Sequence, residues 1–73
     1  MTMDALEIRV ALLFKETSQA EIARQLGVTP GFVYQVIHRK RRNRRVREAV
    51  AEALGLPYKQ IWPTKDDPLK VVD

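Results

Sequence analysis

Apolar residues recur along this chain at three- and four-residue steps, and no run of Val, Ile, Thr or aromatic residues alternates with a period of two. Leu6, Val10, Leu13 and Phe14 follow i, i+4, i+7, i+8, the spacing of one helical face. Met3 extends the stripe, and the pattern predicts a first helix with this stripe turned to the core. Ile8 and Leu12 lie four apart on the opposite side, where an isolated amphipathic helix is polar. They need a cover. Ile61 and Trp62, in a short segment fixed by Pro57 and Pro63, are the nearer candidate, and a second protomer is the other.

Punctuation between the periodic stretches sets the next boundaries. Ser18 followed by Glu21 predicts a capping box, with the hydroxyl accepting from the amide of Glu21 and the carboxylate reaching back to the amide of Ser18. A second helix starts there, carries Ile22 and Leu26 on one face, and stops at Gly27. Thr29 is a good N-cap and Pro30 a good first helical residue. They predict a third helix over residues 30–38 with Val33, Val36 and Ile37 inward. Only Val28 and Thr29 separate Gly27 from Pro30, so the second and third helices must cross steeply. Val46, Ala49, Val50, Ala53 and Leu54 predict a fourth helix ended by Gly55. Leu56 and Pro57 open a short fifth turn, "PYKQIW", closed by Pro63. The predicted fold is all-α, a compact five-helix bundle over residues 1–63, with a disordered C-terminal tail over 64–73.

Counted from Gln19, Ile22 is fourth, Ala23 fifth, Leu26 eighth, Gly27 ninth, Val28 tenth, Val33 fifteenth and Val36 eighteenth. Small Ala23 lets the two helices approach, Gly27 permits the turn, and the aliphatic residues bury the inner faces. This is the register of a helix-turn-helix, whose second helix enters the DNA major groove. A hairpin that served only folding would carry arbitrary solubilising residues outside. The outer positions here are Gly31, Phe32, Tyr34, Gln35 and His38, and no acid occurs between Gly27 and Arg47. Glutamine can pair with adenine, and an aromatic ring can meet a thymine methyl. Tyr34 and Gln35 are therefore the first candidates for base reading.

Composition sharpens this. Seventy-three residues make one small domain, which buries only about 60% of its unfolded surface. Seven of the 13 Lys and Arg fall between Arg39 and Arg47, while the other six face nine acids. A polyanion touched on one side explains that asymmetry better than a solvated run or a localisation signal. With no Cys and one His, a metal site lacks ligands. No nucleophile is paired with a base and no acidic cluster could hold magnesium, so neither enzymatic activity nor a cofactor is expected. Acids near the N-terminus speak against a secretory signal, and no apolar run approaches a membrane span. A soluble, cytoplasmic protein with no membrane partner is expected.

The Gln19/Ala23/Gly27/Val33 register resembles the helix-turn-helix of lambda-repressor-like (Xre, Cro/C1-type) regulators. The later stretch "RRVREAVAEALGLPYKQIWP" is similar to the C-terminal part of Ner-like regulators of Mu-type transposable phages, although the link after the third helix is richer in Arg. The resemblance covers roughly residues 6–63. It implies repression or switching of phage or mobile-element promoters. It also implies that Gln19 grips a phosphate, and that Thr29, Pro30 and Gly31 form the end of the helix that enters the groove. Phe32 would touch a base or sugar, with partial burial against the fourth helix as the alternative. His38, Arg39, Lys40, Arg41, Arg42, Arg44 and Arg45 would contact phosphates, and Arg47 would point partly inward.

The partner implied is double-stranded DNA, bound by a weak homodimer or by copies that pair on it. The rival reading is an adaptor that binds protein through the helix-turn-helix and RNA through the arginines. It lacks an aromatic stacking platform and leaves the capped third helix unexplained. A second DNA-binding rival is the targeting module of a recombinase or antitoxin; read as a complete chain without a second domain, the sequence disfavours the recombinase.

Overall fold

The computed structural model describes residues 2–63, which form five helices: α1 (Ala5–Phe14), α2 (Gln19–Leu26), α3 (Pro30–Ile37), α4 (Arg44–Leu54) and α5 (Tyr58–Ile61). The expected disordered tail, 64–73, lies outside the described residues. Among the described residues there is no strand, and no helix is long and apolar enough to cross a membrane.

Side-chain caps start the first four helices. Asp4 and Glu7 form a complete capping box on α1, Glu7 N donating to Asp4 at 2.8 Å and Asp4 N to Glu7 at 2.9 Å. At α2 only half of the predicted box forms. Ser18 Oγ accepts from Glu21 N at 3.1 Å, but the Glu21 carboxylate takes Arg24 and Gln25 instead. Thr29 accepts from Phe32 N at 3.2 Å, with Pro30 in the first turn of α3. Asn43 accepts from Val46 N at 3.0 Å, so the helix begins inside the basic block and Arg44 and Arg45 belong to its first turn.

The core joins Ile8 and Leu12 of α1, Ile22 and Ala23 of α2, Val33, Val36 and Ile37 of α3, Val46, Val50, Ala51 and Leu54 of α4, and Ile61 and Trp62. This reverses the expectation for α1. Ile8 and Leu12 are 0% and 2% exposed, whereas Leu6, Val10, Leu13 and Phe14 stand at 66%, 42%, 73% and 83%. The cause is the C-terminal turn. Met3 N donates to the Ile61 carbonyl at 3.3 Å, which pins the start of α1 against that turn. Ile8 and Leu12 then share one cluster with Ile61 and Trp62. Trp62 is fully buried and its indole N–H donates to the Arg47 carbonyl at 2.9 Å. The buried face of α4 includes Arg47 and Ala51, while Ala49 and Ala53 are only half-buried.

Candidate nucleic-acid interface

The turn between α2 and α3 is built by three residues. Gly27 takes φ +74°, which a residue with a Cβ adopts at a cost. Val28 N donates back to the Ala23 carbonyl at 3.0 Å. Ala23 itself is 1% exposed, and its small side chain lets α2 and α3 meet. From across the fold, Arg45 Nη2 donates to the Leu26 carbonyl at 3.2 Å, closing the C-terminal end of α2, where cations are favoured. On the exposed side of α2, the hydrogen bond from Arg24 holds the Glu21 carboxyl below the ordinary carboxylate range.

With Val33, Val36 and Ile37 buried, α3 presents Thr29, Pro30, Gly31, Tyr34 and Gln35 to solvent. A Cβ added at Gly31 would meet nothing within 4 Å, so the fold does not require glycine there. Phe32 is half-buried and leans on the core. Tyr34 and His38, one turn apart, stack with ring centroids 4.0 Å apart. His38 Nε2 is buried, which leaves Tyr34 as the outer surface of that pair. Gln19 opens α2 and is half-buried. It lines a groove of about 500 Å³ together with Ser18 and Pro30 on one side and Leu6, Val10 and Leu13 of α1 on the other.

The basic block does not form one surface. Arg39 turns inward: its Nη2 donates to the Met3 carbonyl at 2.6 Å and to the Ile61 carbonyl at 3.2 Å, and its guanidinium lies 5.8 Å from the Trp62 ring centroid. Arg47 is fully buried, 5.1 Å from the same ring. Arg44 bonds Glu48 at 3.0 Å and lies 4.4 Å over Tyr58. Arg41 Nε donates to Gln35 Oε1 at 2.7 Å, with its guanidinium 5.3 Å over Phe32. Lys40, Arg41, Arg42 and Arg45 are exposed. The structure thus brings Phe32, Gln35 and Arg41 together on the outer side of α3 and separates them from Arg39, Arg44 and Arg47. The inward turn of Arg39 and the cap at Asn43 were missed in the sequence. The S/T/D/N cap rule applied to Asn43 was the available signal, hidden by the arginines around it.

Two short helices joined by a glycine turn, the second with its outer face open, define a helix-turn-helix DNA-binding domain. The chain belongs to the winged helix-turn-helix DNA-binding family, whose model matches residues 2–66. Within the described residues the segment after α3 leads into a helix, α4, and not into a strand. No curated protein and no solved structure matches the chain.

Proposed function

We propose that the chain is a sequence-specific regulator of transcription that inserts α3 into the major groove of double-stranded DNA. The observation that carries this reading is the outer face of α3. Gly31, Tyr34 and Gln35 follow i, i+3, i+4 behind a capped N-terminus, all exposed and with no acid beside them. Tyr34 and Gln35 read base edges, and Gly31 lets the backbone approach closely. Gln19 and Thr29 hold phosphates at the starts of α2 and α3, where helix N-termini favour anions. Lys40, Arg42, Arg44 and Arg45 supply the sequence-independent attraction. Arg44 and Arg45 sit at the positive end of the α4 dipole, an unfavourable place for cations in the free protein. A phosphate brought there reverses the sign. Arg39 is left out of this set, because its guanidinium holds two backbone carbonyls.

The promoter class we assign is that of a phage, prophage or mobile element, with repression or switching as the outcome. This rests on the likeness of "RRVREAVAEALGLPYKQIWP" to Ner-like regulators. We assign the solvent face of α1, Leu6, Val10, Leu13 and Phe14, to a second copy that pairs with the first on DNA. The α1 segment itself carries Asp4, Glu7 and Glu16 against Arg9 and Lys15, so it adds no positive charge of its own to the contact.

A mobility shift of the whole chain on random duplex DNA and on structured RNA tests the class of partner. Tighter binding to duplex is expected. With four phosphate-contacting cations, the slope of log affinity against log salt should be about −3 to −4. Preference for RNA, or a slope near zero, would sink the reading.

A further inference from the structure

In the sequence Arg41 is one cation among many. In the structure it is held at three points. Its Nε donates to Gln35 Oε1 at 2.7 Å, its guanidinium covers the Phe32 ring at 5.3 Å, and its backbone N–H donates to the Gln35 carbonyl at 3.3 Å. Both Arg41 and Gln35 are exposed. Long side chains lose rotamer entropy when fixed on a surface, and a phosphate contact does not require the loss, because a flexible point charge serves. A fixed planar fork is what a base edge requires. The two Nη groups of Arg41 make no hydrogen bond among the described residues, and they lie at the rim of the α3 outer face.

We infer that Arg41 is a base-reading residue: Gln35 and Phe32 orient it so that its two Nη groups meet O6 and N7 of a guanine beside the base pair met by Gln35. Guanine is the base whose major-groove edge offers two adjacent acceptors to an arginine fork. Gln35 thus has two roles. Its Oε1 carries one hydrogen bond from Arg41, which fixes the amide so that Nε2 donates to the neighbouring pair. Base reading by this unit spans the end of α3 and the link to α4. This inference rests on the reading that α3 enters the major groove.

The test is a selection of bound sequences from a random duplex library, run with the full chain and its variants. The wild type is expected to select a motif containing a fixed guanine. Arg41→Ala should lose discrimination at that guanine by roughly 5- to 150-fold, the range of one bidentate pair. Arg41→Lys should keep most non-specific affinity and lose the same discrimination, since an ammonium cannot reproduce the fork. Gln35→Ala should relax two adjacent positions, its own and the guanine. Arg42→Ala should weaken all sequences alike. Melting by circular dichroism checks that each variant folds; these residues are exposed, and unchanged melting is expected. An unaltered motif with Arg41→Ala, with the salt slope shallower by about one unit, would make Arg41 a phosphate contact and overturn the inference alone. A Gln35→Ala motif relaxed at one position only would overturn the coupling. A wild type that selects no motif would overturn the proposed function as well, so the failures are distinguishable.

Discussion

At Arg39 the backbone takes φ +60°, a conformation that costs an L-residue with a Cβ about 1–2 kcal/mol. The position is the one that a glycine usually fills after a helix: Lys40 N donates to the Gln35 carbonyl at 2.8 Å and Arg39 N to the Val36 carbonyl at 3.0 Å, the paired bonds of a Schellman ending. Arginine is kept there because its side chain ties the segment before α1 to the segment after α5, through the carbonyls of Met3 and Ile61. Hydrogen bonds from a charged donor are worth about 1.5–3 kcal/mol, more than the backbone cost. Arg39→Ala should therefore lose the tie and keep the strain. Arg39→Gly loses the tie but relieves the strain, and should be less destabilised than Arg39→Ala by about 1 kcal/mol. Urea unfolding of the two variants checks this; equal midpoints would show that position 39 carries no backbone strain. The same logic explains what was legible residue by residue. Gly27 and Gly55 announced their left-handed positions. Glu16, at φ +57°, and Arg39 occupy the same conformation without announcing it, because there the demand is met by a residue whose side chain has other uses or none.

Helices were legible from caps and period, but which face turns inward was legible only where one face is apolar. For α2 and α3 the inner residues Ile22, Val33, Val36 and Ile37 stand where the spacing put them. On α1 both faces are apolar, and periodicity groups residues on a face without choosing between faces. The larger stripe lost, because the pinning of Met3 to Ile61 turns Ile8 and Leu12 to the core. On α4, Arg47 lies in register with Val50, Ala51 and Leu54 at i, i+3, i+4 and i+7; the sequence turns it partly inward, and the structure buries it fully. The candidate site was legible in the same measure: the outer face of α3 could be read from the register, but the dispersal of the basic block depended on contacts with Met3, Ile61 and Tyr58, far away in sequence. Two adjacent residues on α1 give a direct check of the assigned face. Leu12→Ala should cost about 2–5 kcal/mol, as for other buried leucines. Leu13→Ala, 73% exposed, should change the stability of the isolated chain by less than about 0.5 kcal/mol. Thermal melts at low concentration decide it, and the reverse order would restore the face expected from the sequence.

Among the described residues, the outer face of α3 and the apolar face of α1 both stand open, and a groove that reaches Pro30 joins them. The groove beside α1 is floored by Ser18, Gln19 and Pro30, at the starts of the two helices that we bring to the duplex. A second copy seated on α1 would therefore lie next to the DNA. Regulators of this type commonly use two half-sites about one helical turn, ~34–36 Å, apart, and a two-fold contact buries the same patch on both copies. Four exposed side chains make a small patch, and each copy carries a net charge of +4. Free in solution these oppose and limit the pairing, and DNA phosphates remove the opposition. The chain is thus expected to sediment as a monomer at micromolar concentration and as two copies on a duplex carrying two selected sites. Leu13→Glu places a charge in the patch without touching the core. It should leave binding to a single site unchanged and abolish the cooperative occupation of two. A tight dimer without DNA, or cooperative binding that survives Leu13→Glu, would remove α1 from the interface and leave its apolar face to some other partner.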